Sequence, residues 1–205
     1  MGVRRASRLR QARRLSPGRP SIRSPPKTSE FALNRTDKTL EAEVQQAFVE
    51  GQTARLARFA HWCASETAIP GMPELYRQAL ELARQRAEGE IDPPRFATRA
   101  EWLRDRMPLA AAVIGVKHGA PNAMRLLTIA AALNPGPLTA ALQASRNHRG
   151  YERFVAQWLL KQDEVRAGAV ALALDTARPL TDEGAPPTVA EAKCAERQLA
   201  AWRRL

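Results

Sequence analysis

Thirty-six consecutive residues, Met107 to Leu142, carry only two charged side chains, Lys117 and Arg125. A run this apolar must be buried, either in a membrane or in a protein core. A membrane span needs about 20 unbroken apolar residues. Here Pro108, the Gly119-Ala120-Pro121 turn and the Asn134-Pro135-Gly136-Pro137 turn cut the run into shorter pieces. The pieces read as helices over Leu109 to His118, Pro121 to Leu133 and Pro137 to about Asn147, with proline favoured at a first helical position. They are apolar almost all round, as helices inside a domain are. No transmembrane segment is expected.

The flanking segments are amphipathic and supply the remaining helices. Leu40, Val44, Ala47 and Phe48 share one face, and Leu56, Phe59, Ala60 and Cys63 continue the stripe after a break at Gly51. Leu75, Tyr76, Ala79, Leu82 and Ala83 face inward in a helix that begins near Pro73 and is closed by Gly89. Asp92-Pro93-Pro94 reads as a rigid connection. Thr98-Arg99-Ala100-Glu101 reads as a capping box opening a short helix with Trp102 and Leu103 inward. Tyr151, Phe154, Val155, Trp158 and Leu159 make another amphipathic helix, set off from its predecessor by a stop at Gly150. The run Val165 to Leu174 is apolar and small. Thr188 to Glu191 reads as a second capping box, for a helix with Val189, Ala192, Leu199 and Trp202 on one face. Residues that favour strands are scarce. The expected class is all-α: a single compact domain of about seven to nine helices around a buried apolar helical hairpin, with a disordered basic N-terminal tail.

Charge divides the chain sharply. Residues 1 to 29 hold eight arginines, one lysine and no acid, so nine of the eleven net positive charges lie there. Residues 1–36 also contain four prolines and few large apolar side chains, too little to offset ordering entropy. The expected organisation is a disordered Arg/Ser/Pro-rich tail over 1–36, a helical domain over 37–178, a Pro-rich linker over 179–187 and a C-terminal amphipathic helix over 188–205.

Arg4, Arg5, Arg8, Arg10, Arg13 and Arg14 are the expected anion contacts of the tail, suited to nucleic-acid phosphates. A targeting peptide or a secretion signal has the same composition. Myristoylation is disfavoured, because Ala6 stands where Ser or Thr is wanted. Arg146, His148 and Arg149, with Arg153 following, form a second cationic cluster that would converge at a helix end if Gly150 stopped the helix. A helix-turn-helix over Leu126 to Arg149 fits only partly, because its turn is Pro135-Gly136-Pro137 and its outer face, Thr139, Gln143 and Arg146, has few base-reading groups.

Catalytic signatures are missing. There is no GxSxG elbow, phosphate-binding loop or GxGxxG. Cys63 and Cys194 cannot make a disulfide framework and sit beside apolar residues. His61 and Cys63, two apart on a helix, point about 200° from each other. No metal site and no cofactor is expected. Trp62, Trp102, Trp158 and Trp202 are expected to pack.

The reading that follows is a non-catalytic helical binding protein whose arginine-rich arm contacts an anionic macromolecule, nucleic acid first. The alternative is a helical adaptor, regulator or translocated effector. Its tail would be an address, and Val189, Leu199 and Trp202 on the C-terminal helix would meet a protein partner. Localisation is cytoplasmic by default under the first reading.

Overall fold

A left-handed glycine makes the first sharp turn. Gly51, at φ 75°, adopts a backbone that other residues avoid, and reverses the chain between α1 (Lys27–Val49) and α2 (Thr53–Glu66). The structure is a computed structural model that describes residues 27–69, 71–107, 120–163 and 187–205. It adds α3 (Glu74–Glu88), α4 (Pro93–Arg104), α5 (Ala120–Ala132), α6 (Pro137–Asp163) and α7 (Pro187–Arg204), with no strand among the described residues. None of these helices is long and apolar enough to cross a membrane. The expected helix over 109–118, the run 165–174 and the linker up to 186 lie outside the described residues.

The spacing of Leu56, Phe59, Ala60 and Cys63 puts four buried side chains on one face of α2, and α2 packs against α1, α3, α5, α6 and α7. Against it stands the α5–α6 hairpin. Leu126, Ile129 and Leu133 of that hairpin are buried, each contributing about 1.5–3 kcal/mol of hydrophobic stabilisation. Ala140, Ala141 and Ala144, also buried, let α6 approach closely. The hairpin turn is held from within by Asn134 Oδ1, which accepts from Gly136 N at 3.0 Å. From outside, Arg86 donates to Pro135 O at 2.7 Å. The apolar hairpin expected from the sequence is therefore a wall of the core, and α2 is its central post.

The folded chain departs from its sequence pattern at six places. α1 begins at Lys27, thirteen residues before Leu40, the first member of the apolar stripe that marked it. Phe48 is 44% exposed, because the stripe on α1 is carried by Leu40, Val44 and Ala47. α6 does not stop at Gly150. It runs unbroken for 27 residues, because Gly150 supplies space rather than a turn: a Cβ there would come within 2.9 Å of Met124 Cε on α5. Thr98 caps nothing. Asp92 is the N-cap, its Oδ1 accepting from Arg95 N at 2.9 Å. Pro93 and Pro94 fill the first turn, and Thr98 Oγ1 donates to Pro94 O inside the helix. Likewise α7 starts at Pro187, so Thr188 lies within its first turn. Finally, Leu103 is buried but Trp102 is 50% exposed.

α7 docks rather than protrudes. It packs on α1 and α6 and touches α2, burying Ala190, Cys194, Ala195, Gln198, Ala201 and Trp202. Trp202 meets Phe59 edge to face at 5.4 Å, and the Arg55 guanidinium lies 4.1 Å above its ring.

Candidate functional site

The crossing of α6 and α7 gathers most of the buried polar side chains that the sequence singled out. Ser145, His148, Arg149 and Glu152 follow one another at helical spacing on α6. Cys194, Arg197 and Gln198 do the same on α7, and α1 contributes Asp37 and Glu41 from the side. Ser145 Oγ donates to Gln198 Oε1 at 2.9 Å, and Gln198 Nε2 donates back to Ser145 O at 3.0 Å. Arg149 Nη1 donates to both Ser145 Oγ (2.9 Å) and Gln198 Oε1 (3.1 Å). It also lies 3.1 Å from Asp37 Oδ1, an ion pair without hydrogen-bond alignment. Burial raises the Asp37 carboxyl above its ordinary value, outweighing the opposing pull of Arg149.

Arg146, His148 and Arg149 do not converge on a shared anion. Because α6 continues through Gly150, they point in different directions. Arg146 is exposed and donates to Glu41 Oε1 at 2.8 Å. Arg149, 5% exposed, is held by α1 and α7. His148 is completely buried, its ring tilted against Trp62 at 5.8 Å. Neither His148 nitrogen has a hydrogen-bond partner. Nε2 faces Glu152 Oε1 at 3.6 Å, while that same oxygen accepts from Arg197 Nη2 at 2.6 Å. Arg153, half-exposed, lies 3.9 Å from Glu191.

Both thiols are inert as nucleophiles here. Burial pushes Cys194 far above the usual thiol range, and the Glu152 carboxylate adds to that. Burial, then the neighbouring Cys194, does the same to Cys63. A thiol held neutral neither attacks nor oxidises readily. His61 is half-buried away from this cluster. Its basicity is lowered first by burial and then by Arg84. One cluster does have ligand character: donor atoms of His148, Glu152 and Cys194 all lie within 4.8 Å of one another. The first two are visible in the sequence as an i, i+4 pair. The third comes from a separate helix, and no local pattern ties it to them.

Of the surface expected to meet a protein partner, Val189 and Leu199 are half-buried and Trp202 is 1% exposed. The tail cations Arg4, Arg5, Arg8, Arg10, Arg13 and Arg14 lie outside the described residues.

A feature the sequence reading passed over sits on α4. Arg95, Arg99 and Trp102 recur on α4 at spacings of four and three, which places them within roughly 60° of arc, and Arg106 follows in the turn just beyond the helix end at Arg104. All four are exposed. The Arg106 guanidinium lies 4.1 Å above the Trp102 ring, and Arg106 Nη1 donates to Trp102 O at 2.8 Å. Beside this stripe is an open groove of about 530 Å³ between the end of α3 and the start of α4, lined by Gln85, Glu90, Ile91, Arg95, Thr98 and Arg99.

No family model matches the chain, and no curated protein or solved structure matches it.

Proposed function

We propose that this is a non-catalytic helical protein that binds nucleic acid through its arginine-rich N-terminal arm. The observation that carries the reading is the charge partition, nine of eleven net positive charges within the first 29 residues. The pairing inside the fold strengthens it. Arg146 is spent on Glu41, Arg197 on Glu152 and Arg203 on Glu43. Arg84 is spent on Glu81, Glu88 and Glu90. Beyond α1–α7 the arm is the main cationic surplus, and it has no acid of its own to neutralise it.

Each arm cation that meets a phosphate releases condensed counterions, so affinity falls steeply with salt. The α4 stripe is a second contact surface on the folded part. An exposed tryptophan flanked by arginines supports a base by stacking while the guanidinium groups hold phosphates. Such contacts are tolerant of sequence, so the reading is of general rather than sequence-specific binding.

Deletion of residues 1–26 ends just before α1 and tests the reading. Affinity for a labelled generic duplex at low salt is expected to fall at least a hundredfold while far-ultraviolet circular dichroism keeps its helical signal. Equal affinity of the two proteins would refute the role of the arm.

A further inference from the structure

The buried crossing of α6 and α7 leaves an imidazole with nothing to bond. His148 is 0% exposed and both ring nitrogens lack a partner. A buried polar group in that condition carries an unreturned desolvation cost. Its surroundings name what would relieve it. One turn along α6 stands Glu152, its side chain 16% exposed. Facing both from α7 is Cys194, at 0% exposure. Imidazole nitrogen, carboxylate oxygen and thiolate sulfur, with donor atoms within 4.8 Å of one another, are the ligand types that zinc takes. We propose that His148, Glu152 and Cys194 form a zinc-binding site, with three protein ligands and a fourth position left to water or a small exogenous ligand.

Arg197 is the group that competes with the ion. It donates to Glu152 Oε1 at 2.6 Å and bonds toward the Cys194 sulfur, so it satisfies the acid when no metal is bound. Its side chain is 34% exposed and sits on the rim. It can therefore stay on Oε1 as an outer hydrogen bond while Oε2 takes the metal, the arrangement that orients ligating carboxylates. The same rim gives the ion its route from solvent. On binding, the Cys194 S–H bond breaks, its proton passes to solvent and the sulfur lone pair forms the bond to zinc. His148 binds as neutral imidazole through one nitrogen.

The site has a structural consequence. Two ligands belong to α6 and the third to α7, so one ion fastens the C-terminal helix to the core. This inference is independent of the nucleic-acid reading and stands or falls without it.

The test uses the full chain, reduced, with cobalt(II) as the probe. One equivalent is expected to give a thiolate-to-cobalt charge-transfer band in the near ultraviolet and the intense visible bands of a tetrahedral centre, with zinc bleaching both. At a hundredfold excess of free zinc over its Kd, Tm is expected to rise by roughly 5–10 °C. Cys194→Ser should lose the charge-transfer band, Cys63→Ser should keep it, and His148→Gln should weaken binding at least tenfold. Absence of the band in the unsubstituted chain, or its survival in Cys194→Ser, overturns the proposal. Should a variant fail to fold, X-ray absorption at the zinc edge of the unsubstituted chain decides the matter. One sulfur at about 2.3 Å from zinc is expected, and a shell of nitrogen and oxygen alone contradicts the site.

Discussion

Replacing Trp202 with alanine tests the docking of α7 on the core. The indole is 1% exposed, meets Phe59 at 5.4 Å with the rings 74° apart, and carries the Arg55 guanidinium 4.1 Å above it. Arg55 also donates to the Trp202 carbonyl at 2.9 Å, so the same arginine holds ring and backbone. Truncating a buried tryptophan costs about 3–5 kcal/mol. The edge-to-face pair and the cation–π contact place this site toward the upper end, about 4–5 kcal/mol. Domains of ordinary stability have about 5–15 kcal/mol in total. A loss of that size should lower Tm by roughly 8–20 °C in a chain of this length. Urea titration followed by far-ultraviolet circular dichroism gives the free-energy change directly. Trp202→Phe keeps the aromatic contact and is expected to lose about 1–2 kcal/mol. A loss below about 1 kcal/mol in Trp202→Ala, with helical content unchanged, would mean that the ring faces solvent and that α7 is not packed as described.

Two glycines separate backbone need from spatial need. Gly89 closes α3 at φ 74°, so Gly89→Ala is expected to destabilise by about 1–2 kcal/mol. Gly150→Ala is expected to be within about 1 kcal/mol of neutral, because the gain in helix propensity offsets displacement of the flexible Met124 tip; urea midpoints of the two variants check both. Glu81 is held down at about 2, first by its hydrogen bonds to Arg84 and then by Gln85. Its folded value lies below its ordinary 4.5, so the unfolded state binds more protons between those values. The stabilisation it gives is present above 4.5 and lost as pH falls toward 2. Glu81→Gln should flatten the acid limb of a stability–pH curve, and an unchanged limb would contradict the pairing.

What the sequence made legible depended on whether the cause was local. Gly51 and Gly89 read correctly as turns, and both have the positive φ that only glycine adopts freely. Gly150 did not, because a glycine retained for space looks the same in sequence as one retained for backbone freedom. The space belongs to Met124 on another helix. Thr98-x-x-Glu101 has the capping pattern, yet Asp92 with two prolines behind it had already started the helix. The tryptophans show the same division. Trp202 goes inward because α2 offers Phe59 and Arg55, while Trp102 stays half-exposed beneath Arg106. The polar crossing was the least legible part. Arg146, His148 and Arg149 were visible as a cluster, but the partners of the two arginines, Glu41 for Arg146 and Asp37 and Gln198 for Arg149, come from α1 and α7. Tertiary docking splits the cluster, leaving Arg146 on the surface and drawing His148 and Arg149 inside.

The central claim is that the arm's cations meet phosphates, and the salt dependence of binding measures how many do. Fluorescence anisotropy with a labelled duplex, repeated across a salt series for the full chain and for the chain lacking residues 1–26, gives the slope of log affinity against log salt. Full engagement of eight arginines on duplex DNA gives a slope of about −7, and a fluctuating arm about half that. The expected result is a slope between about −4 and −7 for the full chain, falling toward zero without the arm. A shallow slope for the full chain, or the same slope for both proteins, would contradict it.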